Sequence, residues 1–296
     1  MGVTLQNFAS NIIAQLFELS KHRTAENYRT TINSFMRFQR GAGVLLDDMF
    51  PELMLRYEAY LKGENLSMNS ISFYMRILRA IYNRAVDKGI VEQRYPFKHV
   101  YTGVERTVKR ALPLDVIRKI KEIDLSLNSD LSFARDIFLF SFYTRGMSFV
   151  DIAYLRKSNI KNGIITYRRR KTGQQLHIKW EECMAAIVSK YSDADSEYLL
   201  PILYKSRKDG TYQYKNVQSL INNKLKVIAG ELDLSEPLTM YVARHSWASV
   251  ARSCNVPIAV ISEAMGHDSE TTTQIYLASL DSAVVDRANT MILELL

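Results

Sequence analysis

The stretch from Tyr241 to Leu277, YVARHSWASVARSCNVPIAVISEAMGHDSETTTQIYL, sets Arg244, His267 and Tyr276 close together in the chain. A phenol is a nucleophile, a guanidinium offers a permanently charged planar fork of donors, and an imidazole gives or takes a proton near neutral pH. Lys171, in the run Arg168-Arg169-Arg170-Lys171-Thr172-Gly173, adds a further cation. These types suit metal-free cleavage of a phosphodiester, which needs a nucleophile, donors for the charge on the non-bridging oxygens and an acid for the departing oxygen. Each also has an ordinary reading when taken singly. Tyr276 is one of seventeen tyrosines and could be a packed helix aromatic, His267 could cap a helix beside Gly266, Arg244 could lie on the surface, and the basic run could be a solvated turn.

Position is the next question. His267 and Tyr276 are nine residues apart, which puts them on opposite faces of one unbroken helix, so a break is required. Gly266, Asp268 and Ser269 offer it, with Asp268 or Ser269 able to cap a new helix. The basic run falls between two β-compatible segments, Ile164 to Arg170 and Gln175 to Trp180, with Lys171, Thr172 and Gly173 as the turn. Before it, helices are predicted at about 114–124, 130–144 and across Phe149 to Lys157, and helices resume from about Trp180.

The first part of the chain reads differently. From Leu5 to about Lys88 the pattern is helical throughout, with Tyr28, Ile32, Phe35 and Met36 on one stripe and Leu53, Tyr57, Tyr60 and Leu61 on another. A third stripe carries Ile71, Tyr74, Met75, Leu78, Ile81 and Tyr82, leaves Arg76, Arg79 and Arg84 for other faces, and meets Gly89 where the helix would stop. Periodicity lapses between about Tyr95 and Pro113, where Lys98, Arg106, Lys109 and Arg110 accompany two prolines. These signals divide the chain into a helical domain at 1–98, a basic linker at 99–112 and a mixed, mainly helical domain with one small sheet at 113–296.

A chain of 296 residues accommodates that division. Its 39 Lys plus Arg against 31 Asp plus Glu leave a formal charge of +8, which favours a polyanionic partner. Two cysteines are too few for a disulfide framework, so a reducing compartment, by default the cytoplasm, is expected. The five histidines lack metal-ligand spacing, and no cofactor is implied.

The Arg-His-Ser-Trp-Ala-Ser run from Arg244, Met-Gly-His at 265–267 and Thr-Thr-Gln-Ile-Tyr at 272–276 resemble, in order and spacing, the final catalytic segment of the tyrosine recombinase (phage integrase) family. The second domain resembles that family's catalytic domain, and the first its helical, SAM-like core-binding domain. The resemblance implies site-specific breakage and rejoining of duplex DNA through a 3′-phosphotyrosyl link, which conserves the bond energy without ATP. It makes Tyr276 the nucleophile, Arg244 a phosphate donor, His267 a phosphate donor or an aid to the phenol, and Lys171 the acid for the 5′ oxygen. Asp151 matches an acidic position that holds the site together. His245 is expected to be structural and Trp247 to be core or phosphate-facing. Arg76, Arg79, Arg168 and Arg170 are expected on DNA phosphates, and phosphate contact is the expected task of Arg169 as well.

The sequence departs from the family pattern twice. The position three residues before Arg244, usually histidine, is Tyr241, whose phenol donates a hydrogen bond but is a poor base near neutral pH. The first catalytic arginine normally follows a Gly-Leu or Gly-Met pair, and here Ser148 follows Gly146-Met147. Arg145, one turn earlier if the segment is helical, is the expected substitute, with an ion pair to Asp151 or Asp136 as its alternative. The family reading also implies four protomers on two DNA sites, with accessory DNA-bending proteins as possible further partners. A last helix carrying Val284, Val285, Ala288, Met291, Ile292 and Leu295 would pack on a neighbour or on its own domain. A start almost directly in the core-binding domain points toward an invertase, resolvase or mobile-element integrase. The competing readings are a type IB topoisomerase and a catalytically inactive DNA-binding regulator.

Overall fold

The computed structural model describes residues 2–105, 111–203, 210–267, 269–277 and 293, with the side chains at 210–213, 272 and 275–277 outside that description. The chain divides into two compact units, Met1–Thr107 and Val108–Leu296. In the first unit the apolar stripes become four helices, α1 (Leu5–Glu18), α2 (His22–Phe38), α3 (Pro51–Gly63) and α4 (Met68–Asp87). Phe35, Tyr57, Ile71, Met75, Leu78 and Ile81 are all buried in one core, so the 3.6-residue periodicity identified the inward faces correctly. The opposite face of α4 exposes Arg76 and Arg84 and half-buries Arg79. After α4 the chain runs back along that helix. Ser72 donates to the Gly103 carbonyl at 2.6 Å, and Asn69 bonds both backbone groups of Glu105.

The second unit surrounds α6 (Ser129–Tyr143), which follows α5 (Leu114–Glu122) and buries Ile137, Phe138 and Phe140. Two long helices, α9 (Gly210–Glu231) and α10 (Met240–Ser253), pack against it. A three-stranded antiparallel sheet in the order β1 (Ile160–Lys161), β2 (Ile164–Arg168), β3 (Gln175–Lys179) precedes α8 (Glu182–Lys190). Ile165 and Tyr167 on β2 and Leu176 and Ile178 on β3 face the core, the alternation of a sheet covered on one side.

One predicted helix is much shorter than expected. α7 covers only Phe149–Ala153 rather than extending to Lys157. Tertiary pairing takes the rest of the segment: Leu199 donates to the Leu155 carbonyl at 2.8 Å, Lys157 donates to the Glu197 carbonyl at 3.0 Å, and Arg156 bridges to Tyr198. The strands also stop at Arg168 and Lys179, and the loop between them closes through Arg169 N–H to Gln174 and Gly173 N–H to Arg169. α11 (Ile258–Met265) and α12 (Glu270–Leu277) follow. Asp268, the linker residues Arg106, Lys109 and Arg110, and the apolar set from Val284 to Leu295 lie outside the described residues.

Candidate active site

The site begins with the turn after α6. Gly146 donates to the Ser141 carbonyl at 2.8 Å, and Ser141 Oγ donates to the Met147 carbonyl at 2.8 Å, so the chain reverses in a tight loop. Gly146 has φ +73°, and a Cβ there would lie 2.7 Å from Arg244 Cα. Only glycine lets this loop lie directly on α10.

Arg244 occupies a face of α10 that an apolar side chain would ordinarily fill. Met240 and Ala248, one turn to either side, are buried, and Arg244 itself is only 6 % exposed. A buried cation requires acceptors. Arg244 finds them in the Gly146 carbonyl (2.7 Å), the Met265 carbonyl (2.7 Å) and His267 Nε2 (3.0 Å), which together fix the plane of the guanidinium.

α11 ends at Met265, and Gly266 at φ +64° turns the chain in a left-handed cap before α12 begins at Glu270. This is the break expected between His267 and Tyr276. It leaves His267 half-buried, with Nδ1 2.7 Å from the hydroxyl of Thr273, a buried residue on α12. Because a guanidinium only donates, Nε2 accepts from Arg244, so Nδ1 carries the proton and donates to Thr273. Burial first, and then the charges of Arg244, Arg169 and Lys171, push the imidazole pKa down to about 4, leaving it neutral at neutral pH.

That depression has a sign that can be measured. With the folded value below the unfolded one of about 6.5, the unfolded chain binds more protons between the two. The associated stability is complete above pH 6.5 and is lost as pH falls toward 4. The melting temperature of the parent is expected to drop more steeply across that window than that of His267→Gln, which cannot titrate there. Parallel curves would contradict the depressed imidazole.

The expected site residues divide into those gathered at this point and those directed elsewhere. Arg244 and His267 are in contact, and the exposed Lys171 at the hairpin tip is near enough to depress His267. Tyr276 lies on α12 three residues beyond Thr273, and its side chain is outside the described residues. Asp151 is buried and joins two parts of the site: it accepts from Ser148 Oγ at 2.6 Å and from the Arg170 backbone N–H at 2.9 Å. Tyr241 is 60 % exposed and sets its ring edge-on to the buried His245. Trp247 is half-buried against the small cluster of Ala248, Ile261 and Met265.

Arg145 does not stand one helical turn from Ser148. It sits in the turn between α6 and α7 at φ +61°, while Ser148 is the extended residue that starts α7. The guanidinium of Arg145 reaches toward the His177 carbonyl of β3, at 3.4 Å. Neither proposed ion pair forms: Asp136 is held by Arg135, Lys190 and Tyr191, and Asp151 by Ser148 and Arg170. Arg168 donates to the Gly173 carbonyl across the hairpin, and Arg170 lies over the Tyr154 ring at 4.0 Å. Arg169, which the sequence did not distinguish from Arg168 and Arg170 as a phosphate contact, is the buried member of the run, and it donates to the Gly266 carbonyl. The signal was available in the alternation of β2: Ile165 and Tyr167 point inward, and Arg169 continues their phase.

Two family models cover most of the chain, the phage integrase SAM-like domain over residues 4–100 and the phage integrase family over residues 112–283. The chain belongs to the phage integrase, or tyrosine recombinase, family. The tyrosine recombinase XerA of Thermococcus kodakarensis is 24 % identical over 234 residues, 77 % of either chain, and XerA of Pyrococcus furiosus is 25 % identical over 245 residues, 79 % of either chain. Among solved structures, a lambda integrase(75-356) dimer bound to a COC' core site aligns with TM-score 0.71 at 16 % identity, over 93 % of this chain and 95 % of that one. A lambda integrase tetramer bound to a Holliday junction aligns with TM-score 0.68 at 17 % identity, over 93 % and 77 %. The tyrosine recombinase fold, a helical SAM-like domain with a mixed catalytic domain, is therefore the fold of this chain. As a family member it is a DNA recombinase, and neither the topoisomerase nor the inactive-regulator reading is favoured. Among the described residues, no helix is long and apolar enough to cross a membrane.

Proposed function

We propose that this recombinase exchanges DNA strands at a specific site through a covalent link to Tyr276. The observation that carries the reading is the contact between the buried Arg244 guanidinium and the neutral His267 imidazole, tied through Thr273 to the helix that bears Tyr276. In the proposed step the phenolic oxygen forms a bond to the scissile phosphorus, the bond from phosphorus to the 5′ oxygen breaks, and that oxygen takes a proton from Lys171. The phenolic proton passes toward His267, whose basicity rises when a phosphate anion settles beside Arg244. Arg244 balances the charge on the non-bridging oxygens, and Asp151 holds the start of α7 to the hairpin. Rejoining reverses the step with a 5′ hydroxyl from the partner strand.

Duplex DNA is the proposed substrate, with Arg76, Arg79, Arg168 and Arg170 on its phosphates. Exchange between two sites requires four such centres, so four protomers are proposed to assemble, in the way that the lambda integrase tetramer does on a Holliday junction. The proposed compartment is the cytoplasm. The test is a nicked suicide substrate taken from DNA flanking the gene, incubated with the protein in EDTA. A denaturant-resistant adduct joined through the 3′ phosphate is expected. A substrate that binds yet yields no adduct would overturn the proposal.

A further inference from the structure

Family members ordinarily set two arginines on the scissile phosphate, and Ser148 stands where the first should be. Arg169 has the surroundings of a residue waiting for an anion. It is 7 % exposed and continues the inward phase of β2 beyond Tyr167. One of its terminal nitrogens donates to the Gly266 carbonyl, and its Nε is buried without a hydrogen-bond partner among the described residues. Among the described residues no carboxylate pairs with it, whereas the half-buried Arg135 is matched by Asp136. A buried guanidinium donor left unsatisfied is destabilising, and a bound anion recovers that cost.

Its location relates it to the catalytic groups. Arg244 docks on the Met265 carbonyl and Arg169 on the Gly266 carbonyl, so two guanidinium groups sit on consecutive peptides at the end of α11, and His267 is the next residue. The approach is close: a Cβ on Gly266 would lie 3.3 Å from Arg169 Cδ and 3.0 Å from Leu176 Cδ1. The Arg169 charge is also among those that depress His267. Arg145 spends its reach on β3 instead.

We infer that Arg169, from the β-hairpin, is the second arginine on the scissile phosphate and takes the place left open by Ser148. This rests on the recombinase reading above. Its ordinary alternative is that Arg169 only caps the C-terminal carbonyls of α11, where a cation is favoured without any ligand.

A charge-neutral substrate separates the two roles. In a suicide substrate whose scissile phosphate is replaced by a methylphosphonate, one non-bridging oxygen and its charge are gone, so an arginine that served only to balance that charge is no longer needed. On the ordinary phosphate, Arg169→Ala is expected to slow adduct formation by about 100-fold or more, with DNA affinity in a gel-shift assay within about threefold of the parent, an allowance for losing one cation among many phosphate contacts. On the methylphosphonate, the variant should recover to within about tenfold of the parent acting on the same substrate, since what is left to lose is the hydrogen bond alone. Should Arg169→Ala unfold at the assay temperature, Arg169→Lys carries the same comparison, keeping the charge and losing the fork.

Three outcomes would overturn the assignment: Arg169→Ala cleaves the phosphate like the parent, Arg169→Ala stays folded but is inactive on both substrates, or Arg145→Ala is the variant that the methylphosphonate rescues. Absence of an adduct from the parent on a bound substrate is a different failure, since it removes the recombinase mechanism itself.

Discussion

Tyr276→Phe will abolish the covalent adduct while leaving DNA affinity within about twofold of the parent, since the change removes one oxygen and no charge at neutral pH. The step has no substitute nucleophile if the phenol is Tyr276: phenylalanine cannot form a bond to phosphorus, so the loss is complete rather than graded. Contacts to other residues support the surrounding site. Arg244 is fixed by the Gly146 and Met265 carbonyls, and His267 by Thr273. The comparison is made on the nicked suicide substrate, with a gel-shift control on the same DNA. Adduct of undiminished yield from Tyr276→Phe would move the nucleophile to another of the seventeen tyrosines. Tyr241, exposed and one helical turn before Arg244, would be examined next, and Tyr167 is a poor candidate because burial pushes its phenol pKa upward.

Arg244→Ala should lose two things at once. Without the guanidinium, charge developing on the non-bridging oxygens has no buried donor from α10, and the rate of adduct formation should fall by about 100-fold to 1000-fold. The Gly146 and Met265 carbonyls also lose their donor, so the fold itself should weaken by about 2–4 kcal/mol. Arg244→Lys keeps the charge but cannot span the three acceptors, and it should recover little of the rate. Gly146→Ala reaches a similar end from the opposite side, because its Cβ collides with the backbone of Arg244 and its φ is unfavourable for alanine. Denaturant melts beside adduct kinetics report both losses. If Arg244→Ala cleaves at the parental rate, the phosphate is held elsewhere and the site assignment fails.

Helical periodicity made most of the first unit legible. Whether a residue such as Ile71, Met75 or Leu78 faces inward depends on a spacing that repeats every turn, and that spacing is written locally in the chain. The same kind of local reasoning required a break between His267 and Tyr276 and offered Gly266, Asp268 and Ser269 for it, and a left-handed Gly266 ends α11 just before His267. The short α7 was not legible. Leu155 and Arg156 continue a plausible helical pattern, and what removes them from the helix is pairing with Tyr198 and Leu199, more than forty positions later.

The order and spacing of Arg244, His267 and Tyr276 were enough, from the sequence alone, to identify the family and the chemistry. The tertiary structure decided which arginine lies beside them, because that depends on where distant backbones meet. Arg145, Arg168, Arg169 and Arg170 have the same side chain, and no local rule ranks them as phosphate ligands. The positive-φ turn after α6 sends Arg145 to β3, while the pleat of β2 turns Arg169 inward against the end of α11 and its neighbours out. Spacing along a chain specifies the side of a helix or strand on which a charge lies. Only the packing of one element on another supplies the carbonyl that holds it.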